Sequence, residues 1–430
     1  MSAPALSFAR SEELFARAQQ IVVGGTTQGK APNTLIPGEY PIYAARGQGA
    51  YLWDVDNNRF LDWILAYGII VLGYCDPDVD VAAIREIQQG FAFPLTSPVQ
   101  NELAELLVEL IPCAEMVHFF KTGSDTTTAA VRLARIVTGR EKIIRWGYNG
   151  WHDWSCIREA GIPRKVREDV LTFRYNDLNS LEDVLKRNRD QVACVIMMPM
   201  EIEPPQPGFL AGVKDLAHQY GALFILDEMR SGFHIAIGGA QEYYGVIPDL
   251  ATFSKAMSNG YAMSVLAGRR NVMQALSETY VSSTFYTNSV AMAAALATIN
   301  KLRQKQVIAH LWQIGQGLLD GLNTLALDAG VEAETVGLPP MPYLVFTYAD
   351  PEIKETARYV FYRETTRRGV LFHPNHHWFV CAAHTQQDLA RTLEICAEAF
   401  RLVKQELGRG YRAPSVSQVA VTVSADLDKP

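Results

Sequence analysis

Apolar residues in the middle of the chain follow two alternating patterns. Short apolar runs recur at 116–120, 142–146, 192–198, 222–226, 250–253 and 263–267. The run at 192–198 is nearly continuous, as a strand covered on both faces requires. Between the runs the apolar positions switch to helical spacing. Ala130, Leu133, Ala134 and Val137 share one face of a helix predicted over 127–137. A second helix over 213–220 stops at Gly221, a natural C-terminal residue. This alternation predicts βαβ units and an α/β fold built on a doubly wound, mostly parallel sheet. In such a sheet ligands bind beyond the carboxyl ends of the strands.

The two ends of the chain read differently. A short helix and Gly/Pro-rich loops precede a strand and hairpin at 49–58, in a segment covering 1–75. The sheet region runs 76–305, and a long amphipathic helix then opens a C-terminal α/β segment over 306–410. That segment closes on a helical stripe of Leu389, Leu393, Cys396, Phe400 and Val403, read as core. The expected organisation is a large central domain and a smaller α/β domain assembled from both terminal segments. Residues 411–430 lack a clear period and read as a flexible tail.

Composition narrows the class. A chain of 430 residues with 48% apolar and 20% charged residues buries a substantial core. Its net charge of −7 argues against nucleic acid or an anionic membrane as partner. No apolar run is long enough to span a bilayer, and the N-terminus shows no secretory pattern. Six scattered cysteines without a Cys-x-x-Cys pair read as reduced thiols of a cytoplasmic protein.

The chemistry concentrates at two strand ends. Lys255 closes the apolar run Leu250-Ala-Thr-Phe253, and Asp227 closes Leu223-Phe-Ile-Leu226. A lone lysine at a strand end is most often an exposed charge, and an aspartate there is often a cap or an ion-pair partner. Together they suit pyridoxal phosphate. The lysine amine forms a Schiff base with the cofactor aldehyde, and the aspartate keeps the pyridine nitrogen protonated as an electron sink. Once freed, the same amine can shuttle a proton. The neighbouring Glu228 points the other way along a strand and reads as structural.

Three further segments fit that cofactor. Gly123, Ser124 and Asp125 lie between a predicted strand and helix, where free N–H groups and the helix dipole attract phosphate. Simple N-capping is the plainer account of the same residues. Tyr148 sits in a Gly-punctuated aromatic loop and can stack on a ring, or merely pack under the loop. Thr284 precedes an Ala-rich helix over 290–299, as a phosphate contact or an ordinary cap. The run His373-Pro-Asn-His376-His377 lacks the carboxylates or cysteines of a usual zinc pattern, so no metal is expected.

Taken together, Leu226-Asp-Glu-Met-Arg-Ser-Gly-Phe233, Gly238-Gly-Ala-Gln-Glu-Tyr-Tyr-Gly245 and Ser254-Lys-Ala-Met-Ser-Asn-Gly260 carry a resemblance. The chain resembles class III, fold-type-I pyridoxal-phosphate aminotransferases, in the glutamate-1-semialdehyde aminomutase-like branch. The resemblance implies an aminotransferase acting on small amine or amino-acid donors and keto or aldehyde acceptors. An aminomutase or a racemase/epimerase on the same site is the alternative. It further implies a homodimer with shared sites, Lys255 as cofactor carrier and Asp227 on the ring nitrogen. Gly123, Ser124 and Asp125 would hold the phosphate, Tyr148 would stack on the ring, and Thr284 would reach the phosphate from the neighbouring subunit. Tyr67 would line the substrate pocket.

Several positions depart from the family. Its Tyr-His-Gly reads Tyr148-Asn149-Gly150, and its Glu-Pro reads Met198-Pro199. The carboxylate-binding arginine expected near Lys30 and Ala31 is missing. Lys30 is a stand-in without the planar fork. Arg230 is a second candidate polar contact, unless it pairs with Glu228 or another acid. The substrate left open by these changes is an amino sugar, an amine, or a β- or D-amino acid.

Overall fold

The computed structural model describes residues 4–27 and 36–414. The chain folds as two compact units. One is drawn from both ends, up to Asp76 and from Ala309 onward, and the other spans Pro77–Ile308.

The central unit is built on a seven-stranded sheet. Its strand order is Met116–Phe120, Ser264–Gly268, Leu250–Phe253, Leu223–Asp227, Val192–Met197, Lys142–Trp146, Val170–Thr172. Ser264–Gly268 runs antiparallel to both of its neighbours, and the pairs from Leu250–Phe253 to Val170–Thr172 are parallel. Every residue of Val192–Met197, Leu223–Asp227 and Leu250–Phe253 is buried, which is why these strands read as unbroken apolar runs. Gly123–Thr138 covers one face, burying Ala130, Leu133 and Ala134 against Ile143, Ile196 and Ile225. Phe209–Gln219 covers the other with Phe209, Leu210, Val213 and Ala217, against Val195 and Phe224.

Two expected helix starts are corrected. The helix predicted over 213–220 begins at Phe209. The helix predicted over 127–137 begins four residues earlier, at Gly123. Thr122 is its N-cap in a capping box: the Asp125 N–H donates to Thr122 Oγ1 (3.3 Å), and the Thr122 N–H donates to Asp125 Oδ2 (3.0 Å). Two satisfied donors let the helix start on a glycine.

The terminal unit carries a four-stranded sheet in the order Ala44–Gln48, Tyr51–Asp54, Arg59–Asp62, Val370–Leu371. The hairpin predicted at 49–58 forms its centre. The stripe expected to be core lies on Gln386–Gly408, where Leu389, Cys396, Phe400 and Val403 are buried. The Phe400 ring packs 4.7 Å from that of Phe361 on Pro351–Arg367. Beyond its first four residues, the tail expected from 411 lies outside the described residues. No helix among the described residues is long and apolar enough to cross a membrane.

Candidate active site

Leu223–Asp227 and Leu250–Phe253 are adjacent parallel strands in which Asp227 pairs with Thr252. Lys255 follows three residues later, so aspartate and lysine emerge from the same edge of the sheet. The backbone turns sharply there. Lys255 has φ of +46°, a left-handed conformation that costs a non-glycine residue free energy and recurs at functional sites.

Asp227 is buried, and its carboxylate is held from several sides. Asn149 Nδ2 donates to Oδ2 (2.9 Å), while the Met229 N–H (3.2 Å) and Thr252 Oγ1 (3.4 Å) donate to Oδ1. Burial still pushes its pKa above the usual carboxylate range, although Asn149, Met229 and the charges of Lys255 and Arg230 oppose the shift. A cationic donor brought against this carboxylate would favour its ionised form. Asn149 is itself buried, and its Oδ1 has no hydrogen-bond partner in the structure. The site thus combines an under-compensated carboxylate with an unused acceptor, as a protonated ring ligand requires.

Tyr148 follows the strand Lys142–Trp146 and is about two-fifths exposed, at 43%. Burial raises its pKa first, then the negative charges of Cys156 and Asp227, which places the phenol in the field of the Asp227 carboxylate. Across the loop, Gly150 has φ of +115°, and a Cβ there would meet Ser124 Oγ at 2.6 Å. Only glycine lets the aromatic loop close on the helix start, where the Trp151 N–H donates to Ser124 Oγ (3.3 Å). Gly123 and Ser124 occupy the first turn of a sixteen-residue helix, whose amides point out along the dipole. Asp125, the third residue of the expected phosphate seat, lies in the same first turn. Its carboxylate closes the capping box.

Glu228 is buried beside Asp227 and serves the fold. It accepts from the Ala240 (2.7 Å) and Gln241 (2.9 Å) N–H groups and from the Ser231 hydroxyl. Gly239 must be glycine here, because a Cβ would meet Glu228 Oε2 at 2.4 Å. Burial raises the Glu228 pKa to about 7 against these hydrogen bonds. His234, which carried no role in the sequence pattern, is fully buried nearby. Desolvation and then the Lys255 charge lower its pKa to about 3, so it stays neutral. Its signal was a histidine closing a Ser-Gly-Phe-His run seven residues after Asp227.

The remaining candidates are dispersed. Arg230 forms an ion pair with Glu201, at 3.8 Å. Thr284 is exposed, beside Phe285 at 67% exposure. Tyr67 belongs to the terminal unit. There it packs edge-on against His373 (5.5 Å) and His376 (5.1 Å). It lies on a turn in which Leu65, Ala66 and Tyr67 all have positive φ, at 47°, 51° and 63°. The buried Asp62 holds that turn, accepting from the Ile64 (2.7 Å) and Leu65 (3.2 Å) N–H groups. Lys30 lies outside the described residues. No group of three or more His, Cys, Asp or Glu side chains among the described residues could hold a metal ion.

A lysine and an aspartate at neighbouring strand ends, facing a helix N-terminus on a mixed α/β sheet, define a fold-type-I pyridoxal-phosphate transferase. The chain belongs to the class III aminotransferases: the family profile Aminotransferase class-III matches residues 37–338. It is 42% identical to the 3-aminobutyryl-CoA aminotransferase of Cloacimonas acidaminovorans (strain Evry), over 94% of this chain and 99% of that one. It is 33% identical to a glutamate-1-semialdehyde 2,1-aminomutase of Syntrophobacter fumaroxidans (strain DSM 10017 / MPOB), over 92% and 98% of the two chains. The solved pyridoxal-phosphate form of the FumI protein of Sphingopyxis sp. MTA144 matches with a TM-score of 0.88 and 30% identity, over 93% of this chain and 97% of that one. The protein is a pyridoxal-phosphate-dependent aminotransferase acting on amine and keto substrates.

Proposed function

We propose that this aminotransferase acts on a β-amino acyl thioester, or a similarly masked β-amino acid, and passes the amino group to a keto acid. The observation that carries this reading is the 42% identity to 3-aminobutyryl-CoA aminotransferase over nearly the whole of both chains. The missing arginine near Lys30 agrees with it, since a thioester offers no carboxylate for an arginine fork.

The roles follow from the geometry. Pyridoxal phosphate, when bound, supplies a carbonyl that takes up amino groups and a ring that accepts electrons. Lys255 Nζ would hold it covalently, then take the proton from the substrate carbon bearing the nitrogen and return it. Asp227, oriented by Asn149 and Thr252, would keep the ring nitrogen protonated. The Gly123 and Ser124 amides would bind the phosphate, and Tyr148 would cover the ring. Asp125 would contribute through the helix cap. Tyr67 would line the substrate pocket, and Lys30 would contact the substrate.

The active assembly would be a homodimer, with Thr284 reaching the phosphate of the other subunit. Supporting this, the central unit exposes Val81, Ile84 and Ile87 on Pro77–Gln89, and Phe91, Phe93 and Leu95 after it. Six large apolar side chains in one stretch call for a cover. The proposed compartment is the cytoplasm, supported by free, buried thiols at Cys113, Cys194, Cys381 and Cys396.

The test is amine exchange followed by mass spectrometry. A 3-aminobutyryl thioester should load the cofactor with nitrogen and release the 3-keto thioester, and free 3-aminobutyrate should react far more slowly. Equal rates for both would refute the thioester reading. The rival aminomutase is favoured by the 33% relative. It would convert an amino aldehyde without exchanging nitrogen with a free keto acid.

A further inference from the structure

A coenzyme A thioester, the form of substrate proposed above, ends in an adenine, a 5′-diphosphate and a 3′-phosphate. That end carries a flat base and several negative charges. A surface of matching chemistry lies on the four-stranded sheet of the terminal unit. Arg46, Trp53 and Arg59 pair directly across three antiparallel strands, Ala44–Gln48, Tyr51–Asp54 and Arg59–Asp62. Directly paired residues share a face, and Tyr51 shares it two residues before Trp53. Their side chains stack. Arg46 Cζ lies 3.6 Å from the Trp53 ring centre, and Arg59 Cζ lies 3.9 Å from that of Tyr51 and 5.5 Å from that of Trp53. Both arginines are exposed. Ring contact occupies the flat faces of the guanidiniums and leaves their N–H edges for an anion.

A third arginine stands beside them. Arg391 is exposed on Gln386–Gly408, and its charge, like that of Arg59, is felt at the Tyr51 phenol. It reaches the turn at Gly369, where a Cβ would sit 3.8 Å from Arg391 Nη2 and 3.0 Å from the Arg59 carbonyl oxygen. Among the described residues, none of the three arginines has a carboxylate within ion-pair distance. Asp388, at the start of the same helix, is buried and already accepts from the Tyr51 hydroxyl, the Thr385 N–H and the Thr385 hydroxyl. In a chain of net charge −7, three such guanidiniums on one patch reverse the local charge.

We infer that this face binds the adenosine-phosphate end of the thioester substrate. This rests on the thioester reading above and adds the recognition of that substrate's far end. Guanidinium planes already stacked on rings extend a platform on which a base can lie. Their N–H edges, with Arg391, take the phosphates in charge-assisted pairs. Ring contact holds Arg46 and Arg59 in place beforehand, which lowers the ordering cost of binding. The face takes no part in the amine chemistry. It favours a thioester of coenzyme A over a free amino acid or a shorter thioester.

The test separates binding from turnover. Adenosine 3′,5′-bisphosphate, which has no amine or carbonyl to react, is titrated into the holoenzyme by calorimetry. Wild type should bind it, and more weakly as salt rises. Arg46→Ala and Arg59→Ala should each weaken binding by about tenfold, the scale of one charge-assisted hydrogen bond. Arg46→Lys and Arg59→Lys should fall between, because lysine keeps the charge but loses the stacked plane. Turnover is then compared for the 3-aminobutyryl thioesters of coenzyme A and of pantetheine, which lacks the nucleotide. The alanine variants should raise KM for the coenzyme A thioester by about tenfold at unchanged kcat and leave the pantetheine thioester unaffected. If they fail to fold, Arg391→Ala, which removes no ring contact, decides the matter by the same two measurements. No binding to wild type, or unchanged affinity and KM in the folded variants, overturns the nucleotide site. Tighter binding of an oligoadenylate than of the mononucleotide also overturns it, in favour of a nucleic-acid surface. If the nucleotide binds through the arginines but neither thioester is turned over, the site stands and the thioester reading is what fails.

Discussion

Asp227 and Glu228 are consecutive, both carboxylates and both buried, yet they look into different regions of the central unit. Glu228 faces inward, where it meets three donors that belong to the fold, the Ala240 and Gln241 amides and the Ser231 hydroxyl. Asp227 faces the edge of the sheet, where Asn149 leaves an acceptor unused and burial is only partly offset. Burial alone therefore does not distinguish a structural carboxylate from a working one. Nor does the number of donors, since each accepts three hydrogen bonds; the difference is the Asn149 acceptor left unused beside Asp227.

The sharpest way to break that comparison is to delete both charges separately. Asp227→Ala should lower the rate of each half-reaction by about 100-fold or more, the scale of losing one preorganised electrostatic partner, with the fold retained. Glu228→Ala should act the other way round, lowering the unfolding midpoint while the folded, cofactor-loaded fraction keeps its rate per site. Stopped-flow half-reactions and denaturant titrations on both variants read the two effects. Similar losses in both measurements would erase the distinction.

A smaller effect follows from titration. Glu228 has a pKa raised from 4.5 in the unfolded chain to about 7 in the folded one. Between those values the folded protein keeps a proton that the unfolded chain has released, so this group makes folding less favourable as pH rises. Below 4.5 the penalty is absent, and above 7 it is complete, on the order of 3 kcal/mol. Glu228→Gln cannot ionise. Relative to that variant, wild type should lose stability across this window in denaturant titrations at a series of pH values. A constant difference would contradict it. Smaller still, Asn149→Ala should weaken cofactor binding by about tenfold, the cost of one hydrogen bond to a charged group, measured by equilibrium dialysis of pyridoxal phosphate. An unchanged affinity would show that Asp227 needs no orientation from Asn149.

The strand ends were legible in the sequence because an apolar run that gives way to charged residues leaves little choice of position. Lys255 and Asp227 both stand at such stops. The capping box was also readable, as Thr122-Gly-Ser-Asp125, but the glycine drew attention as a turn residue and hid the helix start. Other features depend on the sheet register. Asn149 reaches Asp227 across 78 positions, and Glu201 meets Arg230 only because their strands are parallel neighbours. Nor could the turn at Tyr67 be read from residue type. Leucine, alanine and tyrosine do not favour positive φ, and the turn exists because the buried Asp62 binds its amides.

Among the described residues, Lys121 is a structural rival to Lys255. Lys121 follows the strand Met116–Phe120, directly before the helix start, and burial lowers its amine pKa. Reduction of the holoenzyme with borohydride, followed by peptide mass spectrometry, tests the two directly. The account predicts loss of the yellow colour and a single pyridoxyl group on the peptide containing Lys255. A label on Lys121, or on any other lysine, would contradict it.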